Sequence, residues 1–188
     1  MRATGHSQLR IIAGKWRSRK LVFPHQESLR PTPDRVRETL FNWLQAEIAD
    51  SICLDLFAGS GALGFEAASR GARKVVMVEK NRQASSLLNQ NRAMLEADNI
   101  ELVTADALEW LNSNQQVYDI VFLDPPYRAA LLGRCCEILE NGNNLAENAK
   151  IYIEQALGDE AINIPAGWRC VRSGSAGQVS YKLYSRTE

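Results

Sequence analysis

Residues 121–128 read VFLDPPYR. An apolar, strand-like run ends in an aspartate, two prolines and a tyrosine. Two prolines remove two backbone donors and fix two φ angles, while their carbonyls stay free as acceptors. Asp124 therefore offers a carboxylate beside the fixed carbonyl of Pro125, and Tyr127 offers an aromatic face. Two such acceptors can take the N–H groups of an exocyclic amine and draw its nitrogen toward tetrahedral geometry. They also stabilise the positive charge that develops as the amine attacks an electrophile. A nucleobase stacked on Tyr127 would gain about 1–3 kcal/mol. Pro125 and Pro126 hold the corner without reorganisation. Taken alone, the same residues also fit a strand that merely ends in a proline turn.

A second constellation lies upstream, in DLFAGSGALGFEA at 55–67. Gly59, Gly61 and Gly64 fit G-x-G-x-x-G between a strand and a helix, which brings backbone close to a nucleotide. Glu79 stands twenty positions after Gly59, at the end of the next apolar run, where a carboxylate can accept both ribose hydroxyls. Asp106 follows the third apolar run, in VTADALEW. Each has a plainer reading: packing glycines, a solvated strand end and a helix N-cap. Their convergence at the carboxyl ends of successive strands favours an adenosine-binding crevice. A nicotinamide dinucleotide would use similar glycines. Asp55, however, faces the same crevice, where a carboxylate opposes a pyrophosphate and suits a cationic or amino-bearing ligand. The DPPY corner also has no evident task in hydride transfer. S-adenosylmethionine satisfies both features, with direct attack by the amine and no covalent enzyme intermediate.

These residues need a scaffold that gathers strand ends. From residue 51 the chain alternates. Strands are predicted at 52–57, 74–79, 100–104, 119–123 and 150–155, and helices at 62–70, 82–96, 106–113 and 129–140. Near-continuous apolar strands separated by amphipathic helices imply a doubly wound, mostly parallel α/β sheet with both faces covered. WRCVRSG and QVSYKLYS, with no helix between them, predict an antiparallel hairpin at one sheet edge. Before residue 51, LRIIAG and KLVF predict a short β-hairpin joined by GKWRSR. A helix follows, with Thr32 as N-cap, Pro33 at its first position and Asp34 at the positive end of its dipole. The expected organisation is a basic extension over 1–50 and a catalytic domain over 51–188.

Bulk properties set the limits. The chain has 188 residues, 45% hydrophobic and 23% charged, as in an ordinary globular domain. Its apolar runs are far below the roughly 20 residues of a membrane span, and the N-terminus has no apolar signal-like run. Cys53, Cys135, Cys136 and Cys170 show no metal-type spacing and read as buried reduced thiols, consistent with a cytoplasmic protein. The net charge is zero, but residues 1–37 carry nine lysines and arginines against two acids, a balance of +7. A basic arm on an acidic body suits a domain that meets a polyanion at one end. The expected contacts are Arg10, Lys15, Arg17, Arg19 and Lys20, with Trp16 as a stacking residue or, alternatively, a lid on the core.

LDLFAGSGALGFEA, VEKN, TADA and LDPPY, in that order and spacing, resemble the class I S-adenosylmethionine-dependent methyltransferases that modify exocyclic amines. Joined to RIIAGKWRSRKL and LRPTPDRVRETLFNWL, the whole chain resembles the RsmD family, bacterial methyltransferases of a guanine 2-amino group in 16S ribosomal RNA. The resemblance implies a Rossmann-like methyltransferase fold. It implies that Asp55, Phe57, Gly59, Gly61 and Gly64 line the methionine and ribose of the cofactor, that Glu79 binds the ribose, and that Asp106 with Ala107 meets the adenine. Asp124 to Tyr127 would form the catalytic loop, with Arg30, Pro31 and Thr32 beside it. The implied partner is 16S ribosomal RNA, within the small subunit or an assembly intermediate, and a monomer is the default.

Two rivals remain at this stage. DPPY also occurs in adenine-N6 methyltransferases that act on DNA. Only sixty positions separate Gly64 from Asp124, and two βα units fill them, which leaves no room for an inserted DNA-reading domain. RNA recognised by shape, phosphate and a flipped base is the better fit. The other rival is a non-catalytic assembly factor on a degenerate scaffold, against which the intact motifs speak.

Overall fold

The computed structural model describes residues 6–25, 31–125, 129–159 and 161–187. Arg30, Pro126 and Tyr127 lie outside the described residues. Among the described residues, fourteen elements run in the order β1 (His6–Arg10), β2 (Lys20–Pro24), α1 (Asp34–Trp43), β3 (Ile52–Asp55), α2 (Ala62–Ser69), β4 (Lys74–Val78), α3 (Arg82–Leu95), β5 (Ile100–Val103), α4 (Ala107–Ser113), β6 (Tyr118–Leu123), α5 (Ala129–Asn141), β7 (Leu145–Ala156), β8 (Trp168–Ala176) and β9 (Val179–Arg186).

Strands β3 to β9 form one seven-stranded sheet in the order β5-β4-β3-β6-β7-β9-β8. The pairs among β3, β4, β5, β6 and β7 are parallel, and β9 pairs antiparallel with both β7 and β8. The chain order reverses between β3 and β6, so the crevice of this doubly wound sheet opens at the carboxyl ends of those two strands. The expected C-terminal hairpin is present. Its second strand lies inside against β7, and β8 forms the edge.

Alternate residues of each strand face opposite sides of the sheet. Cys53, Val75, Met77, Ile120, Phe122 and Tyr152 join one core with α1, α2 and the N-terminal hairpin. Leu54, Val76, Val121, Leu123 and Ile151 join the other with α4 and α5. Hence both faces are covered, as continuous apolar strands require.

The first fifty residues share the former core. Leu9, Ile11, Trp16, Leu21 and Phe23 are buried in it together with Val36, Leu40 and Phe41. The polar fastening is specific. Glu66 of α2 is completely buried and accepts the Ile12 and Ala13 amides at 2.8 and 3.0 Å. It also takes Arg70 Nε at 2.7 Å and Arg37 Nη1 at 3.5 Å. Ser69 donates to the Ala13 carbonyl at 2.6 Å and accepts the Trp16 amide at 3.0 Å. Gly14, at φ +83°, lies so close to Ser69 that a Cβ would come within 1.9 Å of its carbonyl oxygen. Asn91 of α3 bonds both backbone groups of Val22.

Five expectations change. The first strand lies at His6–Arg10, because Ile12 and Ala13 spend their amides on Glu66 and cannot extend a ladder. Pro33 takes the N-cap position of α1 with no side-chain cap, and the Thr32 hydroxyl points to Glu154 instead. Trp16 is 6% exposed, so its indole serves the core and has no free face for a base. Cys170 is exposed, on an outward position of edge strand β8, while Cys53, Cys135 and Cys136 are buried. Reading Arg37 as part of a basic surface also fails, since it is 1% exposed and held by Glu66, Asp34 and the Arg10 carbonyl.

Removing one partner of a buried ion pair strands the other, at a cost of about 3–5 kcal/mol. Glu66→Ala should therefore lose about that much stability in urea unfolding, with the Ile12 and Ala13 amides and Arg70 stripped of their acceptor and Arg37 left to Asp34 and the Arg10 carbonyl. A variant as stable as the parent would show that Glu66 does not fasten the extension.

Candidate active site

Period-2 geometry gathers the acids. Asp55 follows Cys53 by two, Asp124 follows Phe122 by two, and Glu154 follows Tyr152 by two, so all three face the α1 side of the sheet. Register aligns them along the crevice. Asp55 pairs with Phe122 across β3 and β6, and Leu123 pairs with Ile153 across β6 and β7. The next residue on each of those last two strands is Asp124 and Glu154. The proline corner thus begins at the switch point, one strand from the glycine turn.

The turn is built from strand β3 into α2. Gly59 and Gly61 take φ of 51° and 81°, a region glycine enters at no steric cost. Asp55, 3% exposed, accepts the Gly64 amide at 2.9 Å and so fixes the first turn of α2. A Cβ on Gly64 would meet Met77 of β4 at 2.8 Å, so this glycine permits the close helix–strand approach. Glu79, just past β4, accepts the Gly59 amide at 2.8 Å and the Asn81 amide at 2.6 Å. Asp106 caps α4 through the Leu108 and Glu109 amides and pairs with Lys80 at 2.9 Å. That bond to Lys80 is the chief reason its carboxyl titrates below the usual range. Ala107 opens α4 and is buried, and Phe57 is half-buried at the turn. The plainer roles of Glu79 and Asp106 are therefore real, and each still presents a carboxylate at a strand end.

Burial dominates the electrostatics. It pushes the Asp55 carboxyl up to about 7, against the Gly64 amide, with Glu79 adding repulsion. Burial, then the charges of Glu154 and Asp55, raises Asp124 well above the ordinary carboxyl range, and Thr32 opposes this. Glu154 is raised too, first by burial, with hydrogen bonds from Tyr152 and Thr32 opposing. Its Oε2 accepts from the Tyr152 hydroxyl at 2.9 Å and the Thr32 hydroxyl at 3.5 Å. Glu154 was not among the residues expected from sequence. The signal was present in IYIEQ, where an acid sits two residues past an inward aromatic on the strand after DPPY.

The donor set fits S-adenosylmethionine. A glycine turn between two acids can take a ribose and an amino-bearing, cationic chain. A buried carboxylate raised by desolvation gains most from such a neighbour. The basic loop lies elsewhere. Arg10, Lys15, Arg17, Arg19 and Lys20 are all exposed. The Lys15 amide bonds the Ser69 carbonyl at 2.7 Å, and Arg19 reaches the Met94 carbonyl at 3.4 Å. Ser69 and Met94 end α2 and α3, which run back from the crevice, so the loop sits at the opposite end of the sheet.

Between about pH 4 and 7 the folded chain holds a proton on Asp55 that the unfolded chain has released. Stability from this group is full below that window and falls as pH rises through it, and the raised Asp124 and Glu154 act in the same direction. Urea midpoints of the ligand-free protein should decline from pH 5 to 8. Asp55→Asn, which keeps an acceptor for Gly64, should flatten the decline, and identical slopes would refute the assignment.

The chain matches the family model described as conserved hypothetical protein 95 over residues 9–185. It is 47% identical over 183 residues to ribosomal RNA small subunit methyltransferase D of Escherichia coli strain K12, covering 97% of this chain and 92% of that protein. The Haemophilus influenzae protein of the same name is 44% identical, over 94% and 93% of the two chains. Among solved structures, yhhF from Escherichia coli superposes with a TM-score of 0.90 at 45% identity, over 96% of this chain and 99% of that one. An RNA methyltransferase from Salinibacter ruber, solved with S-adenosyl-L-homocysteine, shares the fold with a TM-score of 0.67 at 16% identity, over 85% and 95%. A family match across nearly the whole chain and these identities agree: the protein belongs to the RsmD family, described as conserved hypothetical protein 95.

Proposed function

We propose that the protein transfers a methyl group from S-adenosylmethionine to the exocyclic N2 amine of a guanine in 16S ribosomal RNA of the small subunit. The observation that carries this reading is the placement of Asp124 and Pro125 beside the glycine turn at the switch point. The names of the Escherichia coli and Haemophilus influenzae relatives support the RNA class.

When bound, S-adenosylmethionine supplies an electrophilic methyl on a sulfonium. Asp55, Phe57, Gly59, Gly61 and Gly64 would hold its methionine and ribose side, Glu79 the ribose hydroxyls, and Asp106 with Ala107 the adenine. Asp124 and the Pro125 carbonyl accept the two N–H groups of the target amine and favour a localised lone pair. Asp124 can also take the proton that the amine sheds once substituted. Its raised proton affinity suits that task. Pro126 would stiffen the corner, and Tyr127 would stack on the flipped base.

Residues 51–188 form the methyl-transfer unit in this reading, and residues 1–50 the part that meets RNA. The α3 helix of 14 residues separates the two ends by about 20 Å. Contacts from Lys15, Arg17, Arg19 and Lys20 would then fall on phosphates well away from the target base. A folded RNA surface, such as the small subunit or an assembly intermediate, meets both ends at once. Arg10 and Arg30 would extend the contact toward the site, and Thr32 would stay beneath it. In this reading the protein works in the cytoplasm, as a monomer.

Small subunits from cells lacking the protein, incubated with methyl-labelled S-adenosylmethionine, should yield N2-methylguanosine by mass spectrometry of the nucleosides. Labelled N6-methyladenosine, or no label, would reject the reading. Asp124→Ala should lower the rate more than about 100-fold with cofactor binding intact. Replacing Lys15, Arg17, Arg19 and Lys20 together by alanine should leave S-adenosylmethionine binding unchanged. The slope of log affinity for RNA against log salt should drop by up to about three.

A further inference from the structure

The sheet brings a second buried carboxylate to the catalytic corner, one that the reaction as described does not use. Glu154 is 8% exposed and stands beside Asp124 across the β6–β7 register. Both hydroxyl donors that reach it, Tyr152 and Thr32, bond the same oxygen, Oε2. No hydrogen bond to Oε1 occurs among the described residues, nor is Oε1 among the fully buried unpartnered atoms. Oε2 is thus held by two hydroxyls, and Oε1 is the acceptor left without a partner among the described residues.

The amine-bearing bases differ in what stands next to their exocyclic nitrogen. In guanine, N1 carries a hydrogen, so N1–H and the 2-amino group form two adjacent donors. In adenine and cytosine the adjacent ring nitrogen is an acceptor. A flipped base is read by hydrogen bonds to its Watson–Crick edge. Two neighbouring carboxylates match the guanine edge and repel the other two. We propose that Glu154 is the specificity-determining residue of this site, its Oε1 accepting guanine N1–H while Asp124 holds the 2-amino group. This rests on the amine-methylation reading above and supplies a physical ground for guanine that the DPPY motif lacks. After burial, the charges of Glu154 and Asp55 weigh on Asp124, a repulsion which a base bringing adjacent donors relieves.

The anchoring also fixes what a glutamine does here. Tyr152 and Thr32 both donate, so the amide oxygen of Glu154→Gln takes the Oε2 position and its NH2 group that of Oε1. An acceptor becomes a donor without change of shape. The probe is 2-aminopurine, which keeps the 2-amino group but carries an acceptor at N1.

Small subunits reconstituted with 16S RNA bearing guanine or 2-aminopurine at the mapped target would be offered to both proteins. The wild type should prefer guanine by about 100-fold or more in kcat/KM, as expected where an analogue leaves a buried polar group unpaired. Glu154→Gln should bind S-adenosylmethionine with unchanged affinity and bring the preference below about tenfold. A wild type that uses both bases equally overturns the assignment without recourse to any variant. A Glu154→Gln enzyme with unaltered preference, or one slowed equally on both, overturns it as well. Absence of N2-methylguanosine from the wild-type reaction overturns the parent reading together with this one.

Discussion

The fold depends on one buried carboxylate. Glu66 has no solvent, and its charge is compensated by two arginines and two backbone amides drawn from three separate parts of the chain. A buried charge is tolerated only when its remaining lone pairs are satisfied, and few arrangements do so. The loop after β1 must therefore lie on α2, and α1 must present Arg37 to the same point. Arg37 in turn bonds Asp34 and the Arg10 carbonyl, which fixes the start of α1. From that start Thr32 reaches Glu154 at the far side of the crevice. The N-terminal residues are thus part of how the site is assembled.

Much of this was legible in the residues. Strand and helix order, the switch point and the three strand-end acids Asp55, Glu79 and Asp106 follow from period and spacing, because burial on both faces leaves little freedom in a parallel sheet. What the sequence hid is tertiary. Thr32-Pro33-Asp34 reads locally as an N-cap, yet a buried acid more than a hundred residues away claims the hydroxyl. LRIIAG has strand composition, but Glu66 takes two of its amides and stops the ladder. Lys15 and Arg17 look the same on either side of Trp16, while the indole between them turns inward. Arg37 counts as surface charge until its partner is known. Glu154 escaped because attention to motifs stops at DPPY, whereas register carries the site onto the next strand.

The relation between Asp124 and Glu154 illustrates how a motif gains meaning from its neighbours. A carboxylate at the end of β6 can serve any amine. Only the strand beside it decides which atoms flank that amine. β7 is a long strand of twelve residues, and its inward side near the crevice alternates Tyr152 and Glu154. Tyr152 is buried against Phe122 and Tyr181, and its hydroxyl bonds along its own strand to Glu154. Aromatic packing in the core thereby aims a polar atom in the site.

Gathering three acids on one face has an energetic consequence. Desolvation raises Asp55, Asp124 and Glu154 together, with repulsion from Glu79 added at Asp55 and from Glu154 and Asp55 at Asp124, so at neutral pH ionisation of the ligand-free crevice opposes folding. The Gly64 amide and the Thr32 and Tyr152 hydroxyls offset part of this. A ligand that brings positive charge or adjacent N–H donors offsets the rest. Whatever binds such a site stabilises the folded state by its differential affinity for it. The same strain that weakens the empty protein then makes it selective, since a ligand lacking those donors leaves the repulsion in place. Stability held back at the strand ends is in this sense the source of recognition there, and the buried network around Glu66 is what allows the fold to carry it.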